Sequence, residues 1–271
     1  MNEQNIAVVH LVRSVNEISC FEDFVKSYTE NEAGVKHNLI LIYKGFAEKE
    51  ISDEYLTVIG DIKHTHIRLS DDMTDLDAYF LTAKKTDYSI YLFLNSFSKI
   101  LDKNWLQKMA NCLSEEVGLV GATGSWQRLY DRNPIRTNKI REKIHELLQI
   151  RFRIFFPKFP NCHIRTNAFL IRKKTIEEMR IPSIKSKFNA HKFESGYQSL
   201  TRTVTKLGYK ACVVGRDGNA YFCTDWKNSF TYRSGEQKNL LIEDNQTRAW
   251  SNADSKRRAL IELITWGDKH A

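Results

Sequence analysis

The sequence predicts an α/β fold, a mainly parallel sheet flanked by helices. Three observations point there. Short apolar runs of strand length recur at Ile6–Val12, Leu39–Tyr43 and Ile90–Leu94. Between them the apolar residues fall at helical spacing. Only 12 Gly and 4 Pro punctuate 271 residues, which excludes collagen-like and low-complexity chains. Strands alternating with helices imply parallel pairing through crossover connections.

Ile6–Val12 is a continuous apolar run, as in a strand covered on both faces. Ser19-Cys-Phe-Glu22 reads as a capping box, with Phe21, Phe24, Val25 and Tyr28 on one helical face. Gly34 ends that helix, and Leu39–Tyr43 is a buried strand closed by Lys44-Gly45. Tyr55–Ile59 reads as a third short strand. Thr74, with Asp77 three residues on, caps a helix that turns Leu76, Tyr79, Phe80 and Ala83 inward. Ile90–Leu94 is the fourth strand, Asp102 precedes a helix bearing Trp105, Leu106, Met109 and Leu113, and Val117–Ala122 is the fifth strand. A helix-like stretch spans 138–156, and Ile164–Ile171 returns to the core as a strand. One helix is expected over His191–Leu207, with Phe193, Tyr197, Leu200, Val204 and Leu207 on a single face. Gly208 closes it, Tyr209–Val214 is the last clear strand, and Gly215-Arg-Asp-Gly218 is a turn by composition. Residues 236–271 read as an amphipathic helical extension packed on a single domain of residues 1–235, which carries a basic helical insertion at about 130–160.

A chain of this length buries roughly three quarters of its unfolded surface, enough for one large core. The longest central apolar run, Ile90–Leu94, falls far short of the ~20 residues of a membrane span, and the polar Met1–Asn5 lacks the marks of a secretory signal. Five scattered cysteines without a CxxC pair suit reduced thiols in a cytoplasm. The net charge of +8 is uneven: residues 132–174 hold twelve Lys/Arg against two Glu, and the remainder holds 29 basic and 31 acidic residues. The whole basic excess therefore lies in one segment, unlike a nucleic-acid coat, and no nucleic-acid motif supports such a partner. With Phe152, Phe155 and Phe156 nearby, the stretch 139–158 suits peripheral contact with an anionic membrane, a lid or oligomer contact, or a packed helix with a solvated basic face.

In open parallel sheets, ligands bind beyond the carboxyl ends of the strands. Those ends carry Arg13, Lys44, Asn95-Ser96 and Gly121–Ser125, and no GxGxxG or GxxxxGK[ST] turn occurs there. Three segments follow one another in a suggestive order. They are Tyr91-Leu-Phe-Leu-Asn-Ser96 with Leu101-Asp-Lys-Asn-Trp105-Leu106; Cys162-His-Ile-Arg-Thr-Asn-Ala-Phe-Leu-Ile-Arg172; and Phe193-Glu-Ser-Gly with Leu200-Thr-Arg and Leu207-Gly-Tyr-Lys-Ala-Cys-Val-Val214. Over residues 5–222 this pattern resembles the GT-A fold glycosyltransferases of the family 2 type.

The resemblance implies transfer of a sugar from a nucleotide-sugar donor to a glycan or lipid-linked glycan acceptor, as in bacterial surface polysaccharide synthesis. It implies a cytoplasmic protein working at the inner face of the membrane. Glu194 falls where the family carries its catalytic carboxylate, the base for an inverting displacement; the residue type and place also suit an ordinary helix-start acid. Arg13, Lys44, Asp75, Asn95 and Ser96 fall on the nucleotide-sugar side, and His163, Arg165, Arg216 and Asp217 on the acceptor side. The family's DxD aspartate, which holds Mg²⁺ or Mn²⁺, is replaced by Asn95-Ser96-Phe97-Ser98. Either Asp72 or Asp75 supplies a metal ligand instead, or Lys/Arg meet the diphosphate. The acid usual after the second strand is Lys44. A non-catalytic GT-A-like protein that binds a glycan or a partner is the alternative reading.

Overall fold

A computed structural model describes residues 5–46, 51–128 and 153–267. The chain opens with β1 (Ile6–Arg13), α1 (Ser19–Glu30), β2 (Asn38–Lys44), α2 (Asp53–Ile59), β3 (His64–Leu69) and α3 (Asp75–Lys85). It continues through β4 (Ile90–Leu94), β5 (Lys99–Ile100), α4 (Trp105–Asn111), β6 (Val117–Gly121) and β7 (Gly124–Ser125). Beyond residue 153 come β8 (His163–Ile164), β9 (Ala168–Arg172), α5 (Lys173–Glu178), α6 (Lys187–Ser195), α7 (Leu200–Lys206), β10 (Lys210–Val214), β11 (Ala220–Tyr221), β12 (Ile242–Glu243), α8 (Asn245–Ser251) and α9 (Ser255–Trp266).

The main sheet runs β11-β10-β6-β9-β4-β1-β2-β3. β1, β2, β3 and β4 pair in parallel, as do β6 and β10, whereas β9 lies antiparallel between β4 and β6. The sheet is therefore mixed and mainly parallel, with helices on both faces. Because β9 is reversed, its first residues stand at the carboxyl ends of its neighbours: Leu94 pairs with Ala168 and Gly121 with Phe169. That reversal brings residues 165–167 to the edge formed by the carboxyl ends of β4 and β6.

Side chains alternate along β1, so Ile6, Val8 and Val12 join Phe24, Trp105 and Leu106 on one face. Ala7, Val9 and Leu11 join Tyr79, Phe93, Phe169 and Phe193 on the other. Each large side chain buried there contributes about 1.5–3 kcal/mol. His10 occupies a fully buried position on β1, stacked on Phe24 with ring centroids 3.6 Å apart, and neither ring nitrogen has a hydrogen-bond partner.

Several expectations change. Tyr55–Ile59 is the end of helix α2, where Tyr55 and Ile59 bury one face at i,i+4 spacing; the third strand is β3, whose polar edge-strand sequence hides its alternation. The helix expected over His191–Leu207 is two, α6 and α7, separated at Gly196. There the backbone passes so close that an added Cβ would lie 2.5 Å from the Lys192 carbonyl and 2.9 Å from that of Phe155. The break leaves Tyr197 and Leu207 exposed rather than inward. Ser19 does not cap α1, whose N-cap is Ile18 without a side-chain bond, but Thr74 Oγ1 does accept from Asp77 N–H in α3. The returning strand is split into β8 and β9, and 236–271 begins with irregular chain and β12 before α8 and α9. The helix expected at 138–156, and the basic stretch 139–158, lie largely outside the described residues. Among the described residues no helix is long and apolar enough to cross a membrane.

The expectation of five reduced thiols is corrected for two. Cys162 and Cys223, 61 residues apart in sequence, are joined in a disulfide, leaving Cys20, Cys112 and Cys212 free. Thiol titration of the denatured, unreduced chain should therefore count three groups and rise to five after reduction. Five before reduction would refute the bridge. Burial also lowers the pKa of His10 to about 3. The unfolded chain binds its proton near pH 6.5 and the folded chain does not, so this contribution is complete above pH ~6.5 and falls by about 1.4 kcal/mol per unit as pH drops toward 3. His10→Leu should flatten that part of the slope in urea denaturation between pH 4 and pH 6.5; an unchanged slope would rule the effect out.

Candidate active site

The carboxyl ends of β1, β2 and β4 meet the loop after β3. Lys44, the last residue of β2, is buried, yet its Nζ reaches Asp71 Oδ1 at 3.3 Å and Asp75 Oδ1 at 3.2 Å. Asp71 Oδ1 also accepts from Arg13 Nη2 at 3.0 Å. Arg13, then Lys44, hold the Asp71 carboxyl below the usual carboxylate range. Gly45 makes the close approach of this loop feasible, with φ +78° and a would-be Cβ 2.9 Å from Asp71 Cβ. Asp71, which sequence reasoning passed over for its neighbours, thus joins Arg13 to Lys44, and Lys44 in turn holds Asp75.

Asn95 and Ser96 follow β4 but are turned to local tasks. Asn95 Oδ1 accepts from Phe97 N–H at 3.1 Å and from Ser98 Oγ at 3.0 Å, closing an Asx turn. Ser96 is buried and its Oγ accepts from Asn16 Nδ2 at 2.7 Å. Among the described residues no group of three His, Cys, Asp or Glu is placed to hold a metal ion.

Around the start of β9 lies a cleft of about 470 Å³, lined by His163, Arg165, Glu194, Tyr232, Arg233 and Gln246 among others. Glu194 stands in the last turn of α6, not at the helix start the sequence suggested, because the helix begins at Lys187; it is half-buried, and its Oε1 accepts from Thr166 N–H at 3.2 Å and Thr166 Oγ1 at 3.3 Å. It forms no ion pair with any described residue. His163 Nδ1 faces the Asn161 carbonyl at 2.7 Å; a carbonyl only accepts, so Nδ1 carries the proton. Burial keeps the imidazole below its usual pKa against the pull of Glu194, so Nε2 is left with its lone pair.

Arg165 is buried beside Asp244, with Nη2 to Oδ2 at 2.7 Å, and it donates to Thr123 Oγ1 at 3.2 Å and covers the Tyr232 ring at 4.3 Å. Burial opposes both charges, but their mutual attraction prevails, raising the Arg165 pKa and lowering that of Asp244. Asp244 Oδ1 meanwhile accepts from Gln246 N–H and Thr247 N–H, capping α8. Arg233 is held by Gln127, Gln246 and Thr265 side-chain oxygens at 3.0–3.3 Å. Asp244, Thr166, Tyr232 and Arg233 escaped sequence reasoning; only Asp244-Asn-Gln-Thr247 carried a readable signal, the spacing of an N-cap.

Arg216 and Asp217 stand apart, in the β10–β11 turn. Arg216 Nε donates to the Leu240 carbonyl at 2.7 Å, and Asp217 Oδ2 accepts from Tyr221 Oη at 2.5 Å. Neither lines the cleft.

The sequence matches no protein-family model and none of the curated proteins. The structure is similar to several solved structures at low identity. Mouse xyloside xylosyltransferase 1 superposes with a TM-score of 0.47 at 11% identity, covering 90% of this chain and 98% of that one. A mannosyltransferase from Pyrobaculum calidifontis, solved with GDP-Man and Mn²⁺, gives 0.46 at 11%, covering 96% and 67%. The 4-diphosphocytidyl-2C-methyl-D-erythritol synthase of Anaerococcus prevotii gives 0.43 at 12%, covering 79% and 89%.

Asp244→Asn keeps an oxygen for the α8 cap but strands the Arg165 charge. It should cost about 3–5 kcal/mol in urea denaturation, and Asp244→Ala about 1 kcal/mol more through loss of the cap. A loss below ~1 kcal/mol for the Asn variant would show that the pair is not structural.

Proposed function

We propose that this chain is a GT-A-type glycosyltransferase that moves a sugar from a nucleotide donor to a hydroxyl of a glycan or lipid-linked glycan. One observation carries the reading: the Glu194 carboxylate opens into a polar cleft beside the strand ends, held only by the neutral donors of Thr166 among the described residues. A carboxylate already paired with an arginine would be a poor base. One whose two neutral hydrogen bonds both go to Oε1 leaves its other oxygen open to a hydroxyl proton.

In the proposed reaction Glu194 takes the proton of the acceptor hydroxyl as that oxygen attacks the anomeric carbon. The bond from that carbon to the nucleoside diphosphate breaks, the diphosphate leaves with the electron pair, and configuration inverts. His163 Nε2, an acceptor only, orients a second hydroxyl of the acceptor. The Arg13–Asp71–Lys44 network lies on the donor side of the edge. The +10 segment of the sequence favours an anionic surface or a lipid-linked acceptor.

Glu194→Gln preserves an oxygen for both Thr166 donors but cannot take a proton. Transfer assayed with a panel of sugar nucleotides should fall at least ~10²-fold while the thermal unfolding midpoint stays in place. Transfer that survives the substitution would remove Glu194 as base. A wild-type chain that neither binds nor turns over any donor would leave the non-catalytic reading.

A further inference from the structure

A GT-A-type transferase is ordinarily expected to hold a divalent cation against the donor diphosphate, and the residues at this edge do not fit one. Asn95 stands where a metal-binding carboxylate would, and its Oδ1 already accepts two hydrogen bonds. Ser96 Oγ is buried against Asn16 Nδ2. A hard cation on a diphosphate is ordinarily held by at least one protein carboxylate beside the phosphate oxygens, and an amide and a hydroxyl so engaged supply none.

Of the carboxylates nearby, Asp71 and Asp75 share Lys44 and Asp244 holds Arg165. Asp72 and Glu17 are exposed and meet only the Ser70 and Ser19 hydroxyls, and among the described residues no three such groups converge to hold a metal ion. A metal recruited by Asp71 and Asp75 would set its charge beside the Lys44 ammonium that both carboxylates already share and whose side chain is only 3% exposed. Like charges that close repel strongly where water is excluded. Glu194 is committed to Thr166 and, on the proposed reading, to the acceptor proton.

An anion meets no such obstacle. Arg13 is partly exposed at the end of β1 and bonds the exposed Asp71. A phosphate oxygen can replace that carboxylate on the guanidinium, one anion for another, while Asp71 remains on Lys44 and no charge is stranded. Guanidinium and phosphate also match in bidentate geometry.

We infer that this chain binds the diphosphate of its nucleotide without a divalent cation, with the Arg13 guanidinium meeting the phosphate oxygens. The inference builds on the glycosyltransferase reading and replaces one part of the family's usual chemistry.

Calorimetric titration of the full chain with UDP, GDP, TDP and CDP, in excess EDTA and again in Mn²⁺ or Mg²⁺, separates the two. One diphosphate should bind in EDTA with a Kd within about twofold of its value with metal. Arg13→Ala should weaken that diphosphate by about tenfold in both conditions and leave the matching nucleoside unchanged. Binding that appears only with metal would overturn the inference and leave the nucleotide-sugar reading standing. Equal affinity in wild type and Arg13→Ala, with an unchanged unfolding midpoint, would remove Arg13 from the site. No binding by any diphosphate under either condition would remove the donor reading and the inference together.

Discussion

The buried contact between Arg165 and Asp244 is the constraint on which the cleft depends. Both groups are out of water, and either alone would be strongly unfavourable there. Arg165 sits immediately before Thr166, the residue that holds Glu194, and its backbone N–H donates to Thr123 beyond β6. Asp244 starts α8, and from there the chain runs on to Trp266, whose indole bonds the Tyr232 carbonyl beneath the same cleft. One ion pair therefore fastens the C-terminal helices to the strand ends and fixes the position of the residues around Glu194. The Cys162–Cys223 bridge adds a second, covalent tie between the segment leading into β8 and the loop after β11.

Charge at this edge follows a pattern. Lys44, Arg13 and Arg165 each face an aspartate, so the described network is close to self-neutral. Glu194 departs from it, with a hydroxyl and a backbone amide in place of a cation. The buried partners, Lys44 and Arg165, serve structure because neither can be exposed without cost. The exposed partner, Arg13, can trade one anion for another.

Much of this was legible in the sequence, for physical reasons. Continuous apolar runs such as Ile6–Val12 and Ile90–Leu94 betray strands buried on both faces, and their alternation with amphipathic stretches betrays parallel pairing. The edge strand His64–Leu69 could not announce itself, because one flank of it meets water and its residues are polar. Tyr55–Ile59 misled because β-branched and aromatic residues at i,i+4 serve a helix face as well as a strand. The break at Gly196 depends on the Phe155 backbone passing close by, a tertiary fact with no local trace. In the site, Glu194, His163 and Arg165 could be picked out by type and place. Thr166 could not, and Asp244 only as a helix cap, because their parts in the site are set by contacts across 28 and 79 residues.

The reversed strand β9 has a consequence during synthesis. Among the described residues, β6 pairs only with β9 and β10, both made later, and β4 has its second partner only when β9 arrives. Until residue 172 has left the ribosome and found its place, the sheet exists as a β3-β2-β1-β4 half with an open apolar edge. β6 waits beside it unpaired. Open edges of this kind invite pairing with other chains. The strand that carries the cleft to the sheet is thus also the one that closes both of these open edges.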